Sequence, residues 1–417
     1  VGDFRLVVVG ASLAGLRAVE GARKAGFDGR ITLVGADSHL PYDRPPLSKA
    51  YLEPSEEGTV PAPPTFRAED VLRDELATEL LLGEPASALD TERKVVLVGD
   101  RAIEYDAAVI ATGAVARELP GSTGLAGVHT LRTLDDAVAV REALQAGART
   151  VVVGAGFIGS EIASAARKHG LDVTIVEALP TPLTRAVGDE MGQVCASLHS
   201  MNGTGLRCGL TVTELEGDGR VERVRLSDGS ALDADMVVVG VGAAPATGWL
   251  EGSGLPLSDG IVCDETLFTG VDGVYAAGDV ARWPNSLFDR YMRLEHWTSA
   301  AEQGAIAARN SLNPAEAKPY TTVPYFWSDW YDSRIQFVGI PHGDEIRVVD
   351  GAVEQDGRCI ALYREGDRLV GSLAINGQTV IMKYRSMIAK KATWDDALAF
   401  AERRRAVSSA TAAWTAR

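Results

Sequence analysis

The sequence predicts an α/β protein built from two Rossmann-like dinucleotide-binding domains and a C-terminal α+β domain. Three observations carry that expectation. Two glycine hexapeptides, Gly10-Ala11-Ser12-Leu13-Ala14-Gly15 and Gly154-Ala155-Gly156-Phe157-Ile158-Gly159, begin 144 residues apart. Each follows a β-branched run, 6–9 and 151–153, and each opens an alanine-rich stretch with helical spacing, giving the order strand, tight turn, helix. Beyond residue 315 the character changes to prolines, the aromatic cluster Tyr325-Phe326-Trp327 and alternating strands such as 334–338.

Taken in order, the first domain returns in a strand at 31–34 and then enters a proline-rich loop, Leu40 to Lys49. Strands are expected at 95–98 and 107–110, separated by the polar turn at Gly99 and Asp100. The second domain holds the second hexapeptide, a returning strand at 173–176, a hairpin signal at Gly217-Asp218-Gly219 and a final run at 237–242. The chain is then expected to rejoin the first domain, because residues 273–279 make a short strand ending in a glycine turn with a carboxylate, followed by a helical pattern over 298–312. The expected divisions are 1–110 with 241–315, 111–240, and 316–417. The last is expected to be a mixed sheet with terminal helices and a frayed tail after Arg405.

The gross numbers fit that plan. At 417 residues, 46% hydrophobic and 24% charged, the chain holds two or three ordinary globular domains. No apolar run reaches the roughly 18 residues that cross a bilayer, and the first strand starts at once, so a cytoplasmic protein without a signal peptide is expected. Cys195, Cys208, Cys263 and Cys359 lie far apart, with neither metal-ligand spacing nor a disulfide framework, and read as buried, inert thiols. A net charge of −16 argues against nonspecific nucleic-acid binding, which needs a basic surface. Within 383–405, however, seven basic residues (Lys383, Arg385, Lys390, Lys391, Arg403, Arg404, Arg405) face three acidic ones. That stretch reads equally as a docking patch for an acidic partner or as a solvated helix face.

Glycine is needed in such turns because a side chain would keep the backbone off a pyrophosphate held on the amides of a helix N-terminus. Two departures stand out. Ser12 replaces the middle glycine of the first turn, and Gly35 stands where the second domain has Glu177. Glu177 follows Gly159 by 18 residues, close to the spacing of about 20 for a carboxylate on the adenosine ribose. Asp37 is the candidate substitute in the first domain. No Lys or Arg occurs between Ala178 and Thr184 to meet a 2′-phosphate, so NADH is expected over NADPH, with Arg185 the nearest cation.

Further motifs occur in order along the chain: Arg44-Pro45-Pro46-Leu47-Ser48-Lys49, Ala111-Thr112-Gly113, Ala277-Gly278-Asp279, Glu295-His296-Trp297 and Pro324-Tyr325-Phe326-Trp327-Ser328-Asp329. With the paired hexapeptides, they make the chain resemble the FAD-dependent, NADH-using ferredoxin reductases of bacterial P450 and dioxygenase systems, of the putidaredoxin reductase type, over essentially its whole length. The resemblance implies a glutathione reductase-like two-dinucleotide fold. It assigns to FAD the residues Gly10, Ser12, Ala14, Gly15, Ala36, Asp37, Arg44, Lys49, Ala86, Ala111, Thr112, Gly113, Arg132, Gly278, Asp279 and Trp297. To NAD it assigns Gly154, Gly156, Ile158, Gly159, Glu177, Gly242 and Glu295. In the wider superfamily a lysine of the FAD loop pairs with a glutamate after the NAD turn, and Lys49 and Glu161 fit those places as the catalytic pair. A helix starting near Trp297 would turn its positive end to the electron-rich side of the flavin.

Disulfide reductases of this superfamily pass electrons to cysteines, yet no cysteine occurs between Ala36 and Tyr51. Electrons are therefore expected to leave the flavin directly for a [2Fe–2S] ferredoxin, with Trp327 and Trp330 as candidates for the exit face and Trp330, Lys390 and Lys391 for docking. An NADH oxidase, diaphorase or rubredoxin reductase of the same fold is the rival within enzymes. An apoptosis-inducing-factor-like binding protein is the rival outside them.

Overall fold

The computed structural model describes residues 4–55, 59–122 and 124–415, with side chains described as far as 406. The chain forms two compact units, one of Val1–Pro46, Pro61–Val115 and Ala243–Thr322, the other of Leu47–Val60, Ala116–Gly242 and Val323–Arg417.

The first unit is built on a five-stranded parallel sheet. Its order is Val274–Ala276, Ala107–Ile110, Arg5–Val9, Arg30–Gly35, Thr78–Leu82. Arg5–Val9 sits in the middle because its side chains from Leu6 onward are all apolar and buried, as a strand covered on both faces requires. The helix Leu13–Lys24 buries Leu13, Leu16 and Val19 and crosses the helix Trp297–Leu312 closely. A Cβ at Gly304 would stand 2.1 Å from the Ala14 carbonyl oxygen, so glycine permits that crossing. Three antiparallel strands, Ala86–Asp90, Val95–Val98 and Arg101–Glu104, form a smaller sheet.

The second unit repeats the parallel plan in the order Gly205–Cys208, Val173–Glu177, Thr150–Val153, Met236–Val239, Val128–His129. The signal at 217–219 closes an antiparallel pair, Val212–Glu216 with Arg223–Leu226. The C-terminal sheet runs Tyr325–Trp330, Ser333–Gly339, Arg368–Ile375, Cys359–Glu365, Glu345–Asp350 and is antiparallel throughout, not mixed. Tight turns at 331–332 and 366–367 explain this, since two-residue connections join only antiparallel neighbours. The final helix, Trp394–Thr415, continues past Arg405, where fraying is expected, because alanine is the best helix former. Among the described residues no helix is long and apolar enough to cross a membrane.

Candidate functional site

In the first unit Gly10 has φ +120°, and a Cβ there would lie 2.1 Å from the Ala111 carbonyl oxygen. A Cβ at Gly15 would lie 1.9 Å from the Gly10 oxygen. Neither position admits any other residue. Ser12 differs: its φ of −127° and ψ of −161° are ordinary extended values, and its side chain makes no capping bond to the helix. The hydroxyl instead accepts from Arg44, whose guanidinium stacks 5.3 Å over the Tyr42 ring. Tyr42 donates to Asp37 Oδ2 at 2.7 Å, and the other Asp37 oxygen accepts from the His39 amide at 3.1 Å. A ring of polar side chains thus surrounds helix amides that no side chain caps, a fit for a pyrophosphate.

Gly35 is closed to an acid by packing, since a Cβ there would meet Ala11 Cβ at 2.6 Å and Leu82 Cδ2 at 3.0 Å. Gly113 and Gly278 both have positive φ, and Gly278 N donates to Gln303 Oε1 at 2.8 Å. Thr112 donates to the Ala246 carbonyl at 3.0 Å, next to Ala111 and Gly113. Ala36 is exposed and Ala86 opens the strand Ala86–Asp90. Arg293 donates to the Asp279 carbonyl at 3.2 Å and to Glu295 Oε1 at 2.8 Å. Trp297 is the first residue of its helix, whose N-cap His296 offers no side-chain cap, and its indole N–H donates to Asp43 at 2.8 Å.

In the second unit Gly154 has φ +103°, with the Gly240 oxygen 2.4 Å from its missing Cβ, and a Cβ at Gly159 would stand 2.1 Å from the Gly154 oxygen. Gly156 is extended, with φ −79° and ψ −173°, and Ile158 is 39% exposed. Glu177 accepts from the amides of Ala155 at 2.7 Å and Leu179 at 2.8 Å, which places a carboxylate beside the turn. Gly242, φ +96°, accepts from the Arg117 amide at 3.0 Å. Arg132 and Lys49, assigned above to FAD, fall in this unit, and Glu295, assigned to NAD, falls in the first. The backbone N–H of Arg132 donates to Asp136 at 2.8 Å.

The second unit also contains a buried carboxylate cluster. Glu161, 4% exposed, receives Lys49 Nζ at 2.7 Å on Oε1. It also accepts from Ser328 on that oxygen and from Ser48 on Oε2. Ser48 and Ser328 were not legible in the sequence, because a serine 113 or 167 residues from its partner leaves no spacing signal. Arg141, 2% exposed, fixes the segment that follows Lys49 by donating to the carbonyls of Tyr51 at 2.6 Å, Glu53 at 3.0 Å and Thr59 at 3.1 Å, and to the Ser55 hydroxyl. His169 holds the Leu52 carbonyl at 2.8 Å. One buried guanidinium thus gathers the carbonyls of Tyr51, Glu53 and Thr59 and the Ser55 hydroxyl.

Two expectations about side chains change or sharpen. Trp330 is fully buried, so it offers no exit or docking face; in the strand Tyr325–Trp330 it shares the inward face with Ser328. Its ring stacks on His199 at 4.8 Å. Lys390 and Lys391 are exposed at the end of the helix Gln378–Ala389. The cysteines are all free, and burial pushes the thiols of Cys195 and Cys263 up to about 12 and that of Cys359 up to about 11. Thiols so held do not form the thiolate that redox exchange needs. No His, Cys, Asp and Glu grouping among the described residues could hold a metal ion.

Residues 4–304 match the model of the pyridine nucleotide-disulphide oxidoreductases, and residues 325–407 match that of the reductase C-terminal domain. Rhodocoxin reductase of Rhodococcus erythropolis is 37% identical over 92% of this chain and 89% of its own. Putidaredoxin reductase of Pseudomonas putida is 33% identical, covering 89% of this chain and 88% of its own. The crystal structure of the covalent putidaredoxin reductase–putidaredoxin complex matches with a TM-score of 0.87 at 32% identity, covering 94% of both chains.

Proposed function

Because this chain belongs to the pyridine nucleotide-disulphide oxidoreductase family, we propose that it is an FAD-dependent NADH:ferredoxin oxidoreductase. It passes electrons to a [2Fe–2S] ferredoxin that serves a cytochrome P450 or dioxygenase. The observation that carries the reading is the pair of glycine turns, built alike and each leaving helix amides uncapped. FAD, when bound, accepts a hydride and releases electrons one at a time.

The first unit holds FAD through the turn of Gly10, Ser12, Ala14 and Gly15, with Arg44 countering the pyrophosphate and Asp37 in the place of the absent ribose acid. Ala36, Ala86, Ala111, Thr112, Gly113, Gly278 and Asp279 complete that site, and the helix beginning at Trp297 faces it with its positive end. The second unit holds NADH through Gly154, Gly156, Ile158, Gly159 and Gly242, with Glu177 accepting from the ribose hydroxyls and Glu295 meeting the nicotinamide amide. Lys49 and Glu161 are the charged pair at the reacting ring, and Arg132 joins them on the flavin side. The domain division is 1–110 with 241–315, 111–240, and 316–417, and the protein works in the cytoplasm. Lys390 and Lys391 meet the acidic ferredoxin.

Anaerobic stopped-flow mixing with NADH tests the reading. Flavin bleaching followed by ferredoxin reduction is expected, whereas oxygen uptake that outpaces ferredoxin reduction in a parallel assay in air-saturated buffer would make the protein an oxidase or diaphorase. Replacing Lys390 and Lys391 by Glu together should weaken ferredoxin turnover at low salt and spare NADH-to-ferricyanide activity. Equal loss of both activities rejects the docking surface.

A further inference from the structure

We propose that Trp330 and Ser328 are positioning residues that hold the Glu161 carboxylate, with the Trp330 indole N–H fixing the direction of the Ser328 hydroxyl. The inference rests on Glu161 pairing with Lys49 at the reacting ring.

A serine hydroxyl both donates and accepts, and alone it rotates among its partners. An indole N–H can only donate. Trp330 Nε1 donates to Ser328 Oγ at 2.8 Å, so the hydroxyl proton is left for the other neighbour of that oxygen, Glu161 Oε1. Both residues point the same way because they are two apart on one strand, Tyr325–Trp330, and both are 0% exposed. Glu161 thereby keeps Ser328 and Lys49 on one oxygen and Ser48 on the other, a full set of donors around an acceptor-only group.

The indole is itself held. Its ring stacks on His199 at 4.8 Å and 25°. His199 lies within reach of Ser160 Oγ at 3.2 Å through Nε2 and of the Tyr331 hydroxyl at 2.8 Å through Nδ1. Tyr331 donates to Thr204 at 2.7 Å, so its oxygen is free to accept from Nδ1–H, and Nε2 is then the acceptor for Ser160. Ser160 precedes Glu161 on the helix Phe157–Lys168. The Tyr331 amide donates to Ser164 of the same helix at 2.6 Å. The helix that carries Glu161 is thus tied to the strand that carries Ser328 and Trp330 through Ser328, to the residue that follows that strand through Tyr331, and to both through His199. A tryptophan that served packing alone would satisfy its N–H anywhere; this one ends on the hydroxyl that touches the carboxylate.

A double-mutant cycle in the flavin-loaded protein separates the two roles. Trp330→Phe keeps a ring against His199 and removes the donor together with part of the ring's volume; Ser328→Ala removes the relay. Three quantities are read: the rate of flavin bleaching at saturating NADH, the KM for NADH, and the flavin midpoint potential by photoreduction against a reference dye. Trp330→Phe should slow bleaching about five-fold, the scale of one lost hydrogen bond, with KM unchanged and the potential moved in the same direction as by Ser328→Ala. In the Ser328→Ala background it should have no further effect. Additive losses in the double variant, or an unchanged rate and potential in Trp330→Phe, overturn the inference. Should Trp330→Phe not fold, Ser328→Ala against Ser328→Thr decides: the hydroxyl-bearing variant must recover rate and potential, and equal values for the two overturn it. Glu161→Gln is the control for the premise, since wild-type bleaching in that variant removes the pair from the reaction altogether. Slow Glu161→Gln with unchanged Trp330→Phe defeats the positioning role alone.

Discussion

The turn at 10–15 and the turn at 154–159 agree in their fixed points and differ in two others. In both, the first glycine has positive φ, its amide donates at 2.7 Å to the valine one residue before the end of the next strand, and the last glycine presses against the first glycine's carbonyl. The middle position differs: Ser12 in one, Gly156 in the other, both in extended backbone. Neither conformation nor packing within the protein demands glycine there, because a Cβ at Gly156 would meet only the Gly240 oxygen, at 3.8 Å. The strand end differs too. Glu177 holds the Ala155 amide, whereas Gly35 is walled in by Ala11 and Leu82, and in the first unit Asp37 accepts from Tyr42 while Arg44 donates to Ser12.

The largest expected effect comes from breaking what the turns share. Gly10→Ala should yield protein without bound flavin, and Gly154→Ala a yellow protein whose KM for NADH rises by about 100-fold, the outcome of overpacking in a strained backbone. Absorbance after purification and a KM measurement read the two; a yellow Gly10→Ala of ordinary flavin affinity would separate the turns in function.

Next in size is a feature that both units carry. Burial holds His199 and His296 neutral, each pushed down to about 4. The unfolded chain takes up those protons near pH 6.5 and the folded chain only near 4, so stability is full above pH 6.5 and is lost as pH falls toward 4, by at most about 3 kcal/mol per histidine. Melting temperatures from pH 7 to 5 should fall, and His199→Gln should flatten the slope; an unchanged slope would deny His199 its share.

Differences between the turns predict smaller effects. Gly35→Glu should not restore an acid but lower stability by about 1–3 kcal/mol, seen as a lower melting temperature with no gain in flavin affinity. Glu177→Gln should raise the KM for NADH about ten-fold by weakening a charged acceptor, with the flavin spectrum unchanged. Smallest of all, Ser12→Gly should leave the melting temperature in place and weaken FAD about three-fold by freeing Arg44, measured as flavin release by fluorescence. Tighter FAD binding would show that the hydroxyl merely crowds the site.

The glycine turns and the strands leading into them were legible because β-branched runs and obligatory glycines are local signals. Glu177 was legible by its distance from Gly159 along the chain. Why Gly35 replaces an acid was not, since Ala11 Cβ meets it only after folding. The phase of the strand Tyr325–Trp330 was misread for a similar reason: an aromatic run has no polar face to show which side points inward, so Trp330 reads as a surface residue when it is core. Ser48, Ser328 and His199 carry no periodicity, and only tertiary contact gathers them around Glu161 and Trp330.

The oxygens gathered by Arg141 also bear on how the chain is made. Tyr51, Glu53 and Thr59 leave the ribosome well before helix Leu134–Gln145, yet their carbonyls find their guanidinium only when that helix exists, and the oxygen of Glu161 waits longer still, for Ser328. Neither unit is a contiguous stretch, so vectorial synthesis cannot complete one before beginning the other. A fragment cut at 116–242 would carry Arg141 and Glu161 as buried charges stripped of the groups that answer them.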